Sequence, residues 1–193
     1  VNYDEDEFTY LIGSNYKPTD DIMLFAKYST GYISGGIVSS FEYDAEKSKS
    51  FEVGMKASWL DNRLQTNIAV FDVKYENQQF GTAGNLVDPP VPASQVLVNA
   101  GETEASGMEL EAIWLPMIST RVGLNLGYLD FDFVDLDIPL LGGPISEHLR
   151  PQWTGTLTLD YETDPLIGDA PLSFHTDASY RSAEQVVTRP VDY

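Results

Sequence analysis

The sequence predicts an all-β chain: an antiparallel up-and-down meander of about eight strands that forms part of a transmembrane β-barrel. Three observations predict it. Apolar and polar residues alternate with period two along most of the length, which in a strand sends one set to each face. Connections between the alternating runs are by turns short and long, so a meander gathers the tight turns at one end and the long loops at the other. Aromatic residues recur at two levels on these runs, one near each end.

The expected strands are 8–17, 21–32, 47–60, 63–77, 97–115, 120–133, 151–162 and 171–183. The clearest, Phe51 to Trp59, has Phe51, Val53, Met55, Ala57 and Trp59 opposite Glu52, Gly54, Lys56 and Ser58. Met108, Leu110, Ala112 and Trp114 alternate with Gly107, Glu109, Glu111 and Ile113, and Trp153 to Tyr161 alternates with a Thr-rich set. Val122, Leu124, Leu126 and Tyr128 oppose Arg121, Gly123, Asn125 and Gly127. Two runs are less tidy. In 21–32, Ile22, Leu24, Ala26 and Tyr28 share a face, but Met23 and Phe25 spoil the other; in 63–77, Ala69, Phe71, Val73 and Tyr75 are set against Ile68 and Val70.

Lys17-Pro18-Thr19-Asp20, Leu60-Asp61-Asn62-Arg63 and Pro116-Met117-Ile118-Ser119 read as tight turns, and Thr163 to Ala170 as a slightly longer one. The stretches 33–46, 78–96 and 134–150 read as long loops rich in Gly, Pro, Ser and acids. Tyr16, Trp59, Trp114 and Tyr161 stand next to short turns, while Tyr28, Tyr75, Tyr128, Trp153 and Tyr180 stand towards the long loops. Together these nine are the expected membrane-rim aromatics, since a ring with one wet edge favours the lipid–water interface. No charged residue occupies the apolar face between the two levels, as a lipid-facing band requires: a cation at mid-bilayer costs ~2–4 kcal/mol.

Composition narrows the function. With 30 acidic residues against 11 basic ones and a net charge of −19, the chain lacks the clustered cations that nucleic acid or an anionic lipid surface would demand. Hydrophobic residues at 42% and aromatics at 12% are too many for a disordered acidic tail. The absence of cysteine excludes disulfides, redox pairs and thiolate metal sites within the chain. No run approaches ~18 uninterrupted apolar residues, so no transmembrane helix is expected. Val1 to Glu5 has neither the basic start nor the apolar stretch of a signal peptide, so any export signal would lie outside this chain or have been removed.

No catalytic constellation, metal spacing or phosphate loop emerges, and no cofactor is expected. His148 falls in a loop beside Glu147 and Arg150; His175 shares a polar face with Ser173 and Asp177, but side chains two apart on one strand lack nucleophile geometry. Glu109 and Glu111 read as a hydrated pair rather than a proton-sharing one, and Asp130 to Asp137 as a solubilising loop base.

Four stretches resemble the β-barrel region of TonB-dependent outer-membrane receptors. They are Leu24-Phe25-Ala26-Lys27-Tyr28-Ser29-Thr30-Gly31-Tyr32 with Gly35-Gly36, Glu46-Lys47-Ser48 running into Phe51-Glu52-Val53-Gly54-Met55-Lys56, Asp61-Asn62-Arg63-Leu64 leading to Ala69-Val70-Phe71, and above all Val98-Asn99-Ala100-Gly101-Glu102-Thr103-Glu104-Ala105-Ser106-Gly107-Met108-Glu109-Leu110-Glu111. Their order and spacing over about residues 8–183 carry the likeness.

The resemblance implies a non-enzymatic, energy-coupled receptor in the Gram-negative outer membrane, embedded in outer-membrane lipid, that captures a scarce nutrient such as a ferric siderophore, cobalamin or a saccharide. It implies a plug domain inside the barrel and an inner-membrane TonB complex that acts through the plug. Glu52, Lys56, Glu109 and Glu111 would face the lumen, either as a solvated wall or against the plug, and Tyr32, Phe41, Tyr43, Phe80 and Phe133 would be substrate-loop aromatics. The family barrel has about 22 strands, so residues 1–193 are expected to be a partial barrel without plug or closing strand. The rival readings are a soluble all-β binding module and a small outer-membrane barrel of another family.

Overall fold

A computed structural model describes residues 6–38, 41–82, 96–99, 101–135, 150–166 and 168–183. Its strands are β1 (Leu11–Thr19), β2 (Ile22–Ile33), β3 (Gly36–Val38), β4 (Phe41–Tyr43), β5 (Glu46–Trp59), β6 (Leu64–Glu76), β7 (Gln79–Thr82), β8 (Val96–Asn99), β9 (Glu102–Met117), β10 (Thr120–Asp135), β11 (Trp153–Glu162) and β12 (Ser173–Arg181). Eight of them form one sheet in the order β1-β2-β5-β6-β9-β10-β11-β12, every pairing antiparallel. The order in the sheet is the order in the chain, which is the expected up-and-down meander. β1 and β12 do not pair with each other, so the sheet does not close on itself.

Two of the long connections differ from expectation. The stretches read as loops at 33–46 and 78–96 contain the two-stranded sheets β3-β4 and, with the residues that follow, β7-β8. The single strand expected at 97–115 is divided, because Gly101 takes a φ of 101° and turns the chain out of β8 before β9 begins. Most of 134–150 lies outside the described residues, as does His148.

Register sorts the side chains. Tyr28↔Phe51, Ala26↔Val53, Leu24↔Met55 and Ile22↔Ala57 run on into Val53↔Val70, Met55↔Ile68 and Trp59↔Leu64. Across the sheet the same face continues through Met108, Leu110, Trp114, Leu124, Leu126 and Leu157 to Ala178 and Tyr180. This face is exposed: Val70 and Leu157 each show 50% of their surface. Among the described residues no second sheet packs on it, as a soluble sandwich would require.

Tyr16, Tyr28, Trp59, Trp114, Tyr128, Trp153, Tyr161 and Tyr180 all fall on the apolar face, at its two margins. Neighbouring rings meet there. Tyr128 and Trp153 have centroids 4.8 Å apart, Tyr161 stacks on Phe174 at 6.4 Å, and the Trp59 indole N–H donates to Thr66 Oγ1 at 2.9 Å. From Trp153 to Tyr161 the strand covers ~26 Å at ~3.3 Å per residue, or ~20 Å of depth at a ~40° tilt. With the ring bodies added, this approaches the ~25 Å apolar band of an outer-membrane barrel.

Tyr75 is the exception and corrects the sequence reading. It pairs with Ser48 and Thr103, on the face shared by Asn67, Ala69 and Phe71, while Ile68 and Val70 belong to the apolar band. The turn decides this. Leu60, Asp61 and Asn62 have φ of 55°, 55° and 65°, and their hairpin pairs Trp59 with Leu64, so even-numbered residues of β6 inherit the Trp59 face.

The large residues that blurred the alternation in β2 and β6 have a common explanation. Phe25 lies opposite Gly54, and Phe71 opposite Gly107. Each ring covers its glycine: a Cβ built on Gly54 would collide with the Phe25 ring, and one on Gly107 would be 2.5 Å from Phe71 Cζ. A phenylalanine is thereby accommodated on the polar face, filling the gap where the neighbouring strand has no side chain.

Polarity changes beyond the long-loop aromatic level. The face that was apolar now carries Lys47, Lys49, Lys74, Glu76, Glu102 and Glu104. Lys47 pairs with Glu7 at 2.7 Å, Lys49 with Glu76, and Lys74 with Glu104. Outside the apolar band, the hydrogen bonds that Lys49 and Lys74 donate to Glu76 and Glu104, reinforced by the carboxylate charge, hold both ammonium groups above the ordinary lysine pKa. The opposite face at this level holds Thr103, Ala105 and Phe131, all buried, with the Arg150 guanidinium 4.7 Å from the Phe131 ring centroid. Ala45 and Val96 are buried at the same end, so most of the enclosed packing lies here rather than between the aromatic levels.

Two predictions follow from the sorting of faces. Leu157→Arg, at the middle of the apolar band, is expected to destabilise the membrane-inserted fold by ~2–4 kcal/mol. Thr156→Arg, one residue away on the polar face, should be tolerated; band-shift electrophoresis of heated and unheated outer membranes reads both. Gly54→Ala places a methyl 2.5 Å from the Ile68 carbonyl oxygen, and Gly107→Ala one 2.5 Å from that of Tyr128. Each should cost about 1–3 kcal/mol in thermal unfolding. Gly155→Ala, whose nearest neighbour is a Leu126 methyl at 3.1 Å, should cost less.

Candidate functional site

The polar face is concave. A trough of about 1070 Å³ crosses it from Asn15 on β1 to Arg181 on β12. Glu52 and Lys56 reach it from β5, and Glu109 and Glu111 from β9, because each occupies the register position opposite the apolar set of its own strand. Lys27 and Glu52, direct cross-strand partners, form an ion pair at 2.5 Å. Asn67 Nδ2 donates to Glu111 Oε2 at 2.9 Å. Lys56, Glu109 and Arg181 line the trough without an ion pair among the described residues. The wall thus presents separated charges of both signs, together with the hydroxyls of Thr154, Thr156 and Ser179, to whatever fills it. That surface suits a polar, water-rich contact, with Met23 and Phe25 adding apolar area to the lining.

At the short-turn end a second hollow of about 760 Å³ lies beside Arg121, Asp160 and His175. Asp160 Oδ1 is 2.6 Å from His175 Nδ1, and its other oxygen is 3.5 Å from Arg121. His175 Nε2 stands 3.9 Å from Asp177. The imidazole is thus engaged by carboxylates on both sides, while Ser173 pairs in register with Glu162. These side chains form a cross-strand ionic cluster. Among the described residues no three His, Asp or Glu side chains converge as a metal site.

The long-loop end is organised by amides that the sequence reading did not single out as site residues. Asn99, at the end of β8, accepts the Asp44 N–H at Oδ1 (2.7 Å) and donates from Nδ2 to the carbonyls of Asp44 (3.0 Å) and Asn77 (2.8 Å). Gln79 donates its backbone N–H to Glu46 (2.8 Å) and its side-chain amide to the carbonyls of Ser34 (3.0 Å) and Asp44 (3.1 Å). The signal for Asn99 was present, since it opens the Asn-Ala-Gly motif; nothing in the sequence marked Gln79.

Of the five expected loop aromatics, Tyr32, Tyr43 and Phe80 have described side chains. Tyr32 ends β2, half-buried and paired with Lys47. Tyr43 on β4 packs over Gly36 of its own hairpin, and Phe80 on β7 is 46% exposed. The backbones of Phe41 and Phe133 belong to β4 and β10, and their side chains lie outside the described residues.

A family model described as TonB dependent receptor-like, beta-barrel, matches residues 1–191. The chain is 27% identical over 117 residues to the "Probable TonB-dependent siderophore receptor PiuA" of Acinetobacter baumannii, covering 54% of this chain and 14% of that protein. It is 30% identical over 105 residues to the "Metal-pseudopaline receptor CntO" of Pseudomonas aeruginosa, covering 53% and 14%. The crystal structure of the ferric yersiniabactin uptake receptor FyuA from Yersinia pestis superposes with a TM-score of 0.67 at 21% identity, over 88% of this chain and 25% of that one. The chain therefore spans a minor part of each protein it resembles. Match to the family model along nearly its whole length, on a single antiparallel sheet with one apolar and one polar face, makes this chain a member of the TonB-dependent receptor-like β-barrel family.

Proposed function

We propose that this chain supplies eight adjacent strands to the wall of a larger outer-membrane receptor that imports a ferric siderophore or a related metal chelate. The observation that carries the reading is the exposed apolar band bounded by aromatics, backed by a charged trough. The band would meet outer-membrane lipid in a Gram-negative cell. The trough, with Lys56, Glu109 and Arg181 unpaired among the described residues, would meet a plug domain of the same receptor, and the inner-membrane TonB complex would act through that plug. The names of PiuA, CntO and FyuA refer to a siderophore, a metal–pseudopaline complex and ferric yersiniabactin. These names favour a metal chelate over the cobalamin and saccharide ligands that the resemblance also allows. Ligand would contact the long-loop end, with Tyr43 and Phe80 as the exposed or half-exposed aromatics.

Uptake measurement tests this. The receptor is expressed in a Gram-negative strain lacking its other siderophore receptors and supplied with radio-iron on a panel of catecholate, hydroxamate and mixed-ligand siderophores. At least one chelate should be taken up, and a protonophore should abolish uptake. Phe80→Ala and Tyr43→Ala should each raise the half-saturating concentration by about 3–10-fold, the loss of ~1 kcal/mol of contact. Failure of every iron chelate, or uptake that persists without membrane energy, would overturn the reading.

A further inference from the structure

We propose that Asn99 and Gln79 are positioning residues that lock the β3-β4 and β7-β8 hairpins into one body, so that the two excursions above the sheet move together. The hairpins belong to different connections, β2 to β5 and β6 to β9, and lie in separate two-stranded sheets. Among the described residues no ladder joins them; side-chain amides and the Gln79 N–H bond to Glu46 bridge the two connections. Asn99 offers an acceptor to the Asp44 N–H and a donor to the Asp44 carbonyl, satisfying both polar groups of that residue as a strand partner would. Gln79 donates to the same Asp44 carbonyl and to Ser34, so four atoms of two side chains and one backbone hold the segment between Ser34 and Glu46.

The anchoring at the base of β7-β8 is equally specific. Asn77 has a φ of 55° and Gly101 one of 101°, and the Gln78 N–H donates to the Gly101 carbonyl. These turns take β7-β8 out of the β6–β9 ladder and place Asn99 and Gln79 against the neighbouring connection. The third Asn99 bond, to the Asn77 carbonyl, ties the clamp to that base. Buried Ala45 and Val96 lie beside it in sequence, next to Asp44 and on the strand that ends in Asn99. An asparagine is required because aspartate retains the acceptor for the Asp44 N–H but turns a second oxygen towards two carbonyls.

Spin-label distance measurement on the receptor in outer-membrane vesicles tests the coupling. The chain contains no cysteine, so labels enter at chosen positions. One pair, Glu42→Cys with Gly81→Cys, spans the hairpins; a reference pair, Gln65→Cys with Glu162→Cys, reports the wall. With native Asn99 and Gln79 the hairpin pair should give one narrow distance distribution. Asn99→Asp should broaden it roughly twofold or more, and so should Gln79→Glu, which removes only side-chain donors. In both the reference pair should keep its width. A hairpin distribution that stays narrow in both variants would overturn the proposal. So would equal broadening of the reference pair, because the amides would then be holding the wall rather than joining the hairpins.

Discussion

A slip of one residue in any of the seven strand pairings would turn an apolar row of side chains inward and a charged row towards lipid. Everything else in the structure depends on that register. Backbone groups in a bilayer core have no water to bond, so each strand must pair along its length, and pairing fixes which side chain meets which medium. The tight turns set the phase. The Leu60–Asn62 turn, with three successive residues at positive φ, brings Leu64 opposite Trp59 and so commits the whole of β6. The aromatic margins then hold the depth, since rings at both ends of the band resist displacement in either direction.

The same alternation has opposite meanings at different heights. Between the aromatic levels the outer face is apolar and the inner face charged. Beyond the long-loop level the outer face carries Lys49, Lys74, Glu76 and Glu104, and the inner face buries Thr103, Ala105 and Phe131. A strand of 16 residues such as β9 is longer than the ~9–11 a bilayer needs. The surplus stands in water, where the ordinary rule of apolar inside and charged outside returns. In β10 the preference changes sides at Leu129-Asp130-Phe131, where the period-two pattern of Val122 to Tyr128 ends.

The alternating strands, the meander and the two aromatic levels were legible in the sequence because a sheet with different media on its two faces imposes a period of two, and rims at fixed depth impose the aromatic levels. Legibility failed where a residue's environment came from a non-local partner. Phe25 looked like an error of pattern, and Phe71 helped to make the wrong side of β6 look apolar, because the glycines that accommodate them, Gly54 and Gly107, lie 29 and 36 residues further on. Tyr75 was placed with the rim because its side of β6 looked the more apolar, whereas turn length alone would have assigned the strand. The trough residues Glu52, Lys56, Glu109 and Glu111 followed from parity on well-patterned strands. The amide clamp did not, since a glutamine in a loop carries no periodic signal, and its bonding depends on which hairpins the sheet brings together.

The charge balance has its own logic. A chain with a net charge of −19 should repel itself most where carboxylates crowd, at the long-loop end. There Lys49 and Lys74 stand directly opposite one another, a like-charge pair that alone would be unfavourable. Each is flanked by a carboxylate, Glu76 diagonal to Lys49 and Glu104 directly across from Lys74. Single exposed pairs contribute little, but here each of the two facing lysines has its own carboxylate, which offsets their mutual repulsion. Three of the six lysines, Lys47, Lys49 and Lys74, thus stand at this acidic end. Within the trough, by contrast, Lys27 and Glu52 pair while Lys56 and Glu109 do not, leaving charge on the concave surface for another chain or solvent to meet.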